Sequence, residues 1–300
     1  MSRKSRAALL SVCSNISLII MKLVAGLISG SVSIISEAIH SAMDLVAALI
    51  ALFAVKKSDL PPDEHHPYGH DKIENVSGVI EALLILLAAG WIMVEAIGKL
   101  LNPSPIESIG WGVLVMVISA LVNSVVSAYL YKVAREEESV ALAADALHLK
   151  ADVLTSAGVA AGLGGIWLAS LFGYSLAILD PLVAIGVALF IVKEAIAMLM
   201  EAFHPLIDRS MSPEELAMTS RIITDCCPPG ADFHDLRSRR AGRRRHIDFH
   251  LTLPTTMSIG EAHTICDRVE EAIMQQLPHA IVLIHVEPDE QSGALAATPC

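Results

Sequence analysis

Two short patterns in this sequence carry side chains suited to a metal ion. One is His40-Ser41-Ala42-Met43-Asp44; the other is His148-Leu149-Lys150-Ala151-Asp152. Residues four apart on an α-helix stack on one face, so each HxxxD pair presents an imidazole and a carboxylate together. The two pairs supply two nitrogens and two oxygens, which suits a tetrahedral zinc site. Other borderline divalent metals fit the same donors, because affinity alone follows the Irving–Williams order. A lone His–Asp pair in a helix is more often a polar contact. Two pairs inside apolar runs point to a metal site, since ionisable groups at membrane depth are costly. Glu37 and Asp145 lie one turn before His40 and His148. They either accept a hydrogen bond from the site imidazoles and fix the tautomers, or face water at the helix mouth. Lys150 falls on another face and is expected to snorkel.

Long apolar helices must position these pairs. The 300 residues are 54% hydrophobic, and the excess lies almost wholly before residue 204. A bilayer needs about 20 apolar residues per helix. Six spans are expected, at 7–28, 32–55, 76–101, 111–131, 153–171 and 178–200. The first pair sits in the second span and the second pair opens the fifth. Arg3, Lys4, Arg6, Lys56, Lys57, Lys72, Lys132, Arg135 and Arg209 all fall on one side of this map. That side is expected to face the cytoplasm, with both termini. The first apolar run is too long for a cleavable signal peptide.

The loop after the second span contains Asp63, His66 and His70, a candidate second metal site. It is equally readable as a solvated polar loop. From Leu206 onward the composition is that of an ordinary soluble domain. Ser212-Pro213-Glu214-Glu215 and Ser258-Ile259-Gly260-Glu261 are two helix starts with capping boxes. Between them lie two strand-like runs around a Gly242 turn. In the second, Ile247, Phe249, Leu251 and Leu253 alternate with His246, Asp248, His250 and Thr252. A last run, 281–287, puts His285 and Glu287 on one face with Ile281 and Leu283. The order helix, strand, strand, helix, strand predicts a small α+β sandwich. Of the chain's 12 histidines, His234, His246, His250, His263, His279 and His285 fall here. Polar-face positions for His250 and His263 fit ligand roles, with Glu287 as the carboxylate; scattered surface histidines are the alternative.

Other features narrow the class. The net charge of −11 argues against a nucleic-acid partner. The one dense basic run, 237–245, reads as a solvated hairpin near the membrane; anionic lipid or RNA is the sharper alternative. Cys13, Cys226, Cys227, Cys266 and Cys300 contain no CxxC pair and read as reduced cytosolic thiols. No nucleotide loop, nucleophile elbow or HExxH is present, so an enzyme is not expected.

The residues together resemble the cation diffusion facilitator family over nearly the whole chain. The likeness rests on the paired HxxxD, the loop PxDxxHPYGHxKxE at 61–74, LIDR at 206–209, HDLR at 234–237, FHL at 249–251, EAH at 261–263 and IHVEP at 284–288. The resemblance implies a six-helix transmembrane domain (1–208), a cytosolic ferredoxin-like, metallochaperone-like αββαβ domain (209–290) and a disordered tail (291–300). It implies a homodimer in a bacterial inner membrane that exports divalent metal, zinc by preference, in exchange for protons by alternating access. His40, Asp44, His148 and Asp152 would form the transport site, and Asp63, His66 and His70 the loop site. His234, His250, His263, His285 and Glu287 would build a binuclear zinc site joining protomers. Lys72 and Asp208 match a charge interlock between them. Two departures stand out: His40 replaces an Asp found in some bacterial members, a form that accompanies zinc preference, and Glu287 replaces a frequent Asp. Rival expectations are an iron(II) or manganese exporter of the same architecture and a metal-sensing membrane scaffold that does not translocate.

Overall fold

A computed structural model describes residues 2–29, 32–101, 111–171 and 179–289. It divides into two compact units, the second beginning at His204. The expected boundary, after residue 208, falls five residues later. The segment 204–207 forms a 3-10 helix that packs on the first strand, and Asp208 pairs with Arg239 at 3.3 Å. LIDR therefore belongs to the second unit.

Among the described residues the first unit holds six long helices: α1 (Arg3–Ser29), α2 (Val32–Ser58), α3 (Lys72–Leu101), α4 (Trp111–Glu136), α5 (Val140–Leu171) and α6 (Leu179–Phe203). Among the described residues, three contain a stretch long and apolar enough to cross a bilayer: Arg3–Ala25, Lys72–Gly98 and Val117–Glu136. Large apolar side chains such as Leu87, Trp91, Val94 and Val125 point outward. Water would penalise this surface and hydrocarbon would not. The interior is built from small residues, among them Ala7, Ala8, Ala48, Ala82, Ala144 and Ala146, which let helix backbones approach closely. Gly78 marks the tightest approach: a Cβ there would lie 2.8 Å from Val140 Cγ1 and 3.0 Å from the Ala202 Cβ.

The fifth helix begins at Val140, well before the expected apolar start at 153. Ser139 explains the difference. Its carbonyl accepts from the Ala143 amide and its hydroxyl from the Leu142 amide, so the helix is capped there and the second HxxxD lies well inside it. At the same end, Lys4 Nζ meets Glu74 Oε1 at 2.6 Å and Asp59 at 3.1 Å, and the hydroxyls of Ser58 and Ser139 also donate to Glu74. This buried knot ties α1, α2 and α3 to the start of α5. The expected loops at 102–110 and 172–177 and the expected disordered tail at 291–300 lie outside the described residues.

The second unit orders α7 (Pro213–Cys226), β1 (Asp232–Ala241), β2 (Arg244–Leu253), α8 (Ile259–Gln276) and β3 (Ala280–Pro288). The strands form a mixed sheet in the order β1-β2-β3, with β1 antiparallel and β3 parallel to the central β2. Both expected capping boxes are formed, Ser212 with Glu215 and Ser258 with Glu261. Ile247, Phe249, Leu251 and Leu253 are buried against Ile223, Ile265, Val269 and Ile273 of the helices. Gly242 takes a φ of 55° in the β1–β2 turn, which costs glycine little. His246 departs from its expected polar face and is buried; it lies on the central strand, opposite Arg239 of β1 and Ile281 of β3.

The basic run at 237–245 also departs from expectation. Arg245 is buried, with Nε donating to Glu215 Oε1 at 2.8 Å and Nη1 to the Pro278 carbonyl at 3.1 Å. Arg240 lies 3.6 Å from the same carboxylate. Partial burial works against the charged form of Glu215, but the Arg245 hydrogen bond and the Arg240 charge outweigh it and hold the carboxyl below its usual value. Part of the run is thus a strut between the sheet and the start of α7. Cys13, Cys226, Cys227 and Cys266 are free thiols, and burial pushes Cys227 and Cys266 up, which makes them poor nucleophiles.

Candidate metal sites

In the membrane unit, α2 and α5 bring Asp44, His148 and Asp152 together. One ligand atom from each lies within 4.8 Å of the others. His148 Nε2 is 3.1 Å from Asp44 Oδ1, and Asn15 of α1 donates to the Asp44 carbonyl at 3.4 Å. The HxxxD spacing places His40 one turn before Asp44 on α2; its side chain, like that of Glu37, lies outside the described residues. Asp145 shares the helix, and among the described residues neither of its carboxylate oxygens has a hydrogen-bond partner. Lys150 sits 5.9 Å from the ring centre of Tyr131, a cation–π contact.

A second cluster forms in the loop. Asp63 Oδ1 lies 3.0 Å from His66 Nδ1, Asp63 Oδ2 lies 3.2 Å from His70 Nε2, and the two rings are 4.5 Å apart. Desolvation opposes ionisation of Asp63, but the His66 and His65 amides and the His66 ring donate to it and hold its carboxyl below the usual value. A lowered value keeps an oxygen donor free of its proton.

The third cluster is laid down by strand register. β1 pairs His234 with His250, and β2 pairs His250 with His285. Three imidazoles therefore form one row across the sheet, with ring centres 5.1 Å and 4.8 Å apart. Glu287, two residues beyond His285, points to the same face. Its carboxylate lies 3.3 Å from His234, 2.9 Å from His250 and 3.6 Å from His285. His263 is not in this group. It is exposed on α8, 3.8 Å from Asp267. Asp208, expected in an interlock with Lys72, has Arg239 as a partner within its own unit. One feature had no clear signal in the sequence: a register shift between His234 and Arg237, with Asp235 at a φ of 52°, turns β1 so that His234 enters the row.

Apolar helices long enough to cross a bilayer, followed by a mixed-sheet unit, with imidazole–carboxylate groups in each that could hold a metal ion, point to a membrane protein. Residues 8–207 match the cation efflux transmembrane domain, and residues 211–289 match the cation efflux protein cytoplasmic domain. The chain belongs to the cation efflux, or cation diffusion facilitator, family, which is one of transporters. It is 33% identical over 287 residues to the uncharacterized transporter sll1263 of Synechocystis, covering 94% of this chain and 90% of the relative. It is 33% identical over 284 residues to the cation-efflux pump FieF of Klebsiella pneumoniae, covering 95% and 92%. A solved Zn form of CzrB, a proposed zinc transporter, is 34% identical over 29% of this chain and 98% of that one, at a TM-score of 0.27.

Proposed function

We propose that the chain is a proton-coupled exporter of divalent transition metals, zinc by preference, working as a homodimer of six-span protomers in a bacterial inner membrane with both termini in the cytoplasm. The observation that carries this reading is the cluster of one imidazole and two carboxylates, Asp44, His148 and Asp152, drawn from two helices of the membrane unit. His40 adds a second imidazole by its spacing. Two nitrogens and two oxygens favour zinc over harder cations, which prefer all-oxygen sites.

Metal arriving from the cytoplasm meets neutral imidazole and ionised carboxylate. The helices rock, and the cluster opens outward. An imidazole nitrogen holds a proton or a metal ion, never both, so protons entering from outside displace the metal. Asp63, His66 and His70 form a loop site on the entry side. His234, His250, His285 and Glu287 bind metal in the soluble unit, with His263 supplied by the second copy. Metal there draws the two tails together and biases the transport equilibrium. Lys72 and Asp208 interlock the protomers.

Flux into proteoliposomes, with zinc, cadmium, iron(II) and manganese in competition and with and without a pH gradient, tests the reading. Zinc is expected to outcompete the others and to move faster with the gradient. Faster iron(II) or manganese flux would overturn the zinc preference, and indifference to the gradient would overturn the coupling. Zinc binding without flux would make the chain a sensor.

A further inference from the structure

Glu81 of α3 and Asp145 of α5 are both completely buried. No carboxylate oxygen of either residue meets a hydrogen-bond partner among the described residues. The two groups act on each other electrostatically. Their helices meet through the apolar side chains of Ala82, Ile85, Ala144 and Leu147. The Ser11 hydroxyl of α1 lies near Asp145 without hydrogen-bond geometry. His148, one turn along α5, also acts on Asp145. The elements that touch α3 or α5 also carry Lys22 on α1, Asp44 on α2, Tyr131 on α4 and Lys193, Glu194 and Glu201 on α6, and the Glu194 and Glu201 carboxylates act on Tyr131.

A buried ionised carboxylate without donors is costly, and two within each other's field are costlier. Such a pair cannot remain doubly ionised. It takes up a proton that belongs to the pair rather than to one member. We propose that Glu81 and Asp145 form a proton-binding acidic pair inside the membrane unit, carrying one proton at neutral pH and releasing it when a divalent cation reaches the Asp44–His148–Asp152 cluster. The release half rests on the transport reading above; the proton-holding half does not. Asp145 connects the two, because its charge is felt by His148. A divalent ion beside His148 favours the ionised form of Asp145, and by reciprocity the protonated pair weakens metal binding. The proton leaves the carboxyl O–H as H⁺, the electron pair stays on oxygen, and no other bond changes. The pair would then carry a coupled proton apart from those that compete directly for the metal ligands.

Infrared difference spectroscopy on the full-length protein in detergent tests this. The metal-free protein at neutral pH is expected to show the carbonyl stretch of a protonated, non-hydrogen-bonded carboxylic acid. That band should disappear in Glu81→Gln and in Asp145→Asn, where the new amide donates to the remaining carboxylate. It should also disappear when zinc is added to the wild-type protein, and zinc should release one proton fewer from Glu81→Gln. Absence of the band in the metal-free wild-type protein would overturn the proposal without reference to any variant. Its survival in both variants, or its persistence at saturating zinc, would overturn it equally. Failure of the transport reading alone would appear as absent zinc flux with the band and its zinc response intact.

Discussion

Glu287 lies within 3.6 Å of three imidazoles. A single carboxylate there organises the row in the soluble unit, and its removal should matter more than removal of the exposed His263. Glu287→Ala is predicted to weaken zinc binding by the soluble unit about tenfold or more, read by calorimetry as loss of a binding step, while His263→Ala leaves binding within one protomer intact. Glu215 gives a different residue-scale prediction. Its folded value lies below the ordinary 4.5. Its contribution to stability is therefore present above the ordinary value and is lost as the pH falls through the lowered one. Amide hydrogen exchange in α7 should accelerate on acidification through that window. Glu215→Gln preserves the capping box and should flatten the response; an unchanged response would count against the Arg245 strut. The HxxxD residues were legible because helical spacing alone brings i and i+4 together. The His234–His250–His285 row was not, because register depends on a turn and a bulge whose positive φ at Asp235 no side-chain pattern announces.

At the scale of elements, capping chemistry was the most legible feature. Ser212 and Ser258 each stand three residues before a Glu, and both boxes form. The start of α5 was less legible, because the apolar run begins at 153 while the cap is Ser139. Charged residues such as Asp145 and Lys150 interrupt hydropathy without interrupting the helix. The close approach at Gly78 was invisible for a similar reason: a glycine in an apolar helix does not say which helices cross there. Replacing Gly78 with Leu would drive a side chain into Val140 and Ala202. Overpacking of this kind costs roughly 1–3 kcal/mol. The prediction is a lowered thermal midpoint for the detergent-solubilised protein and slower zinc flux, because α3, α5 and α6 must separate to admit the side chain. An unchanged midpoint would mean that these helices do not pack as described.

For the whole molecule, the division into an apolar helical part and a polar mixed-sheet part was written in composition, since hydrocarbon and water select different surfaces. The second compact unit takes in residues from His204, because Asp208 and the 3-10 helix before it fold against β1. In the proposed transport cycle Asp44, His148 and Asp152 carry the ion. The most direct test is zinc flux into proteoliposomes holding Asp44→Ala plus Asp152→Ala, beside the wild-type protein at equal reconstitution. Flux no greater than that of protein-free vesicles is expected, with zinc binding by the sheet-bearing unit retained. Flux equal to wild type would contradict it.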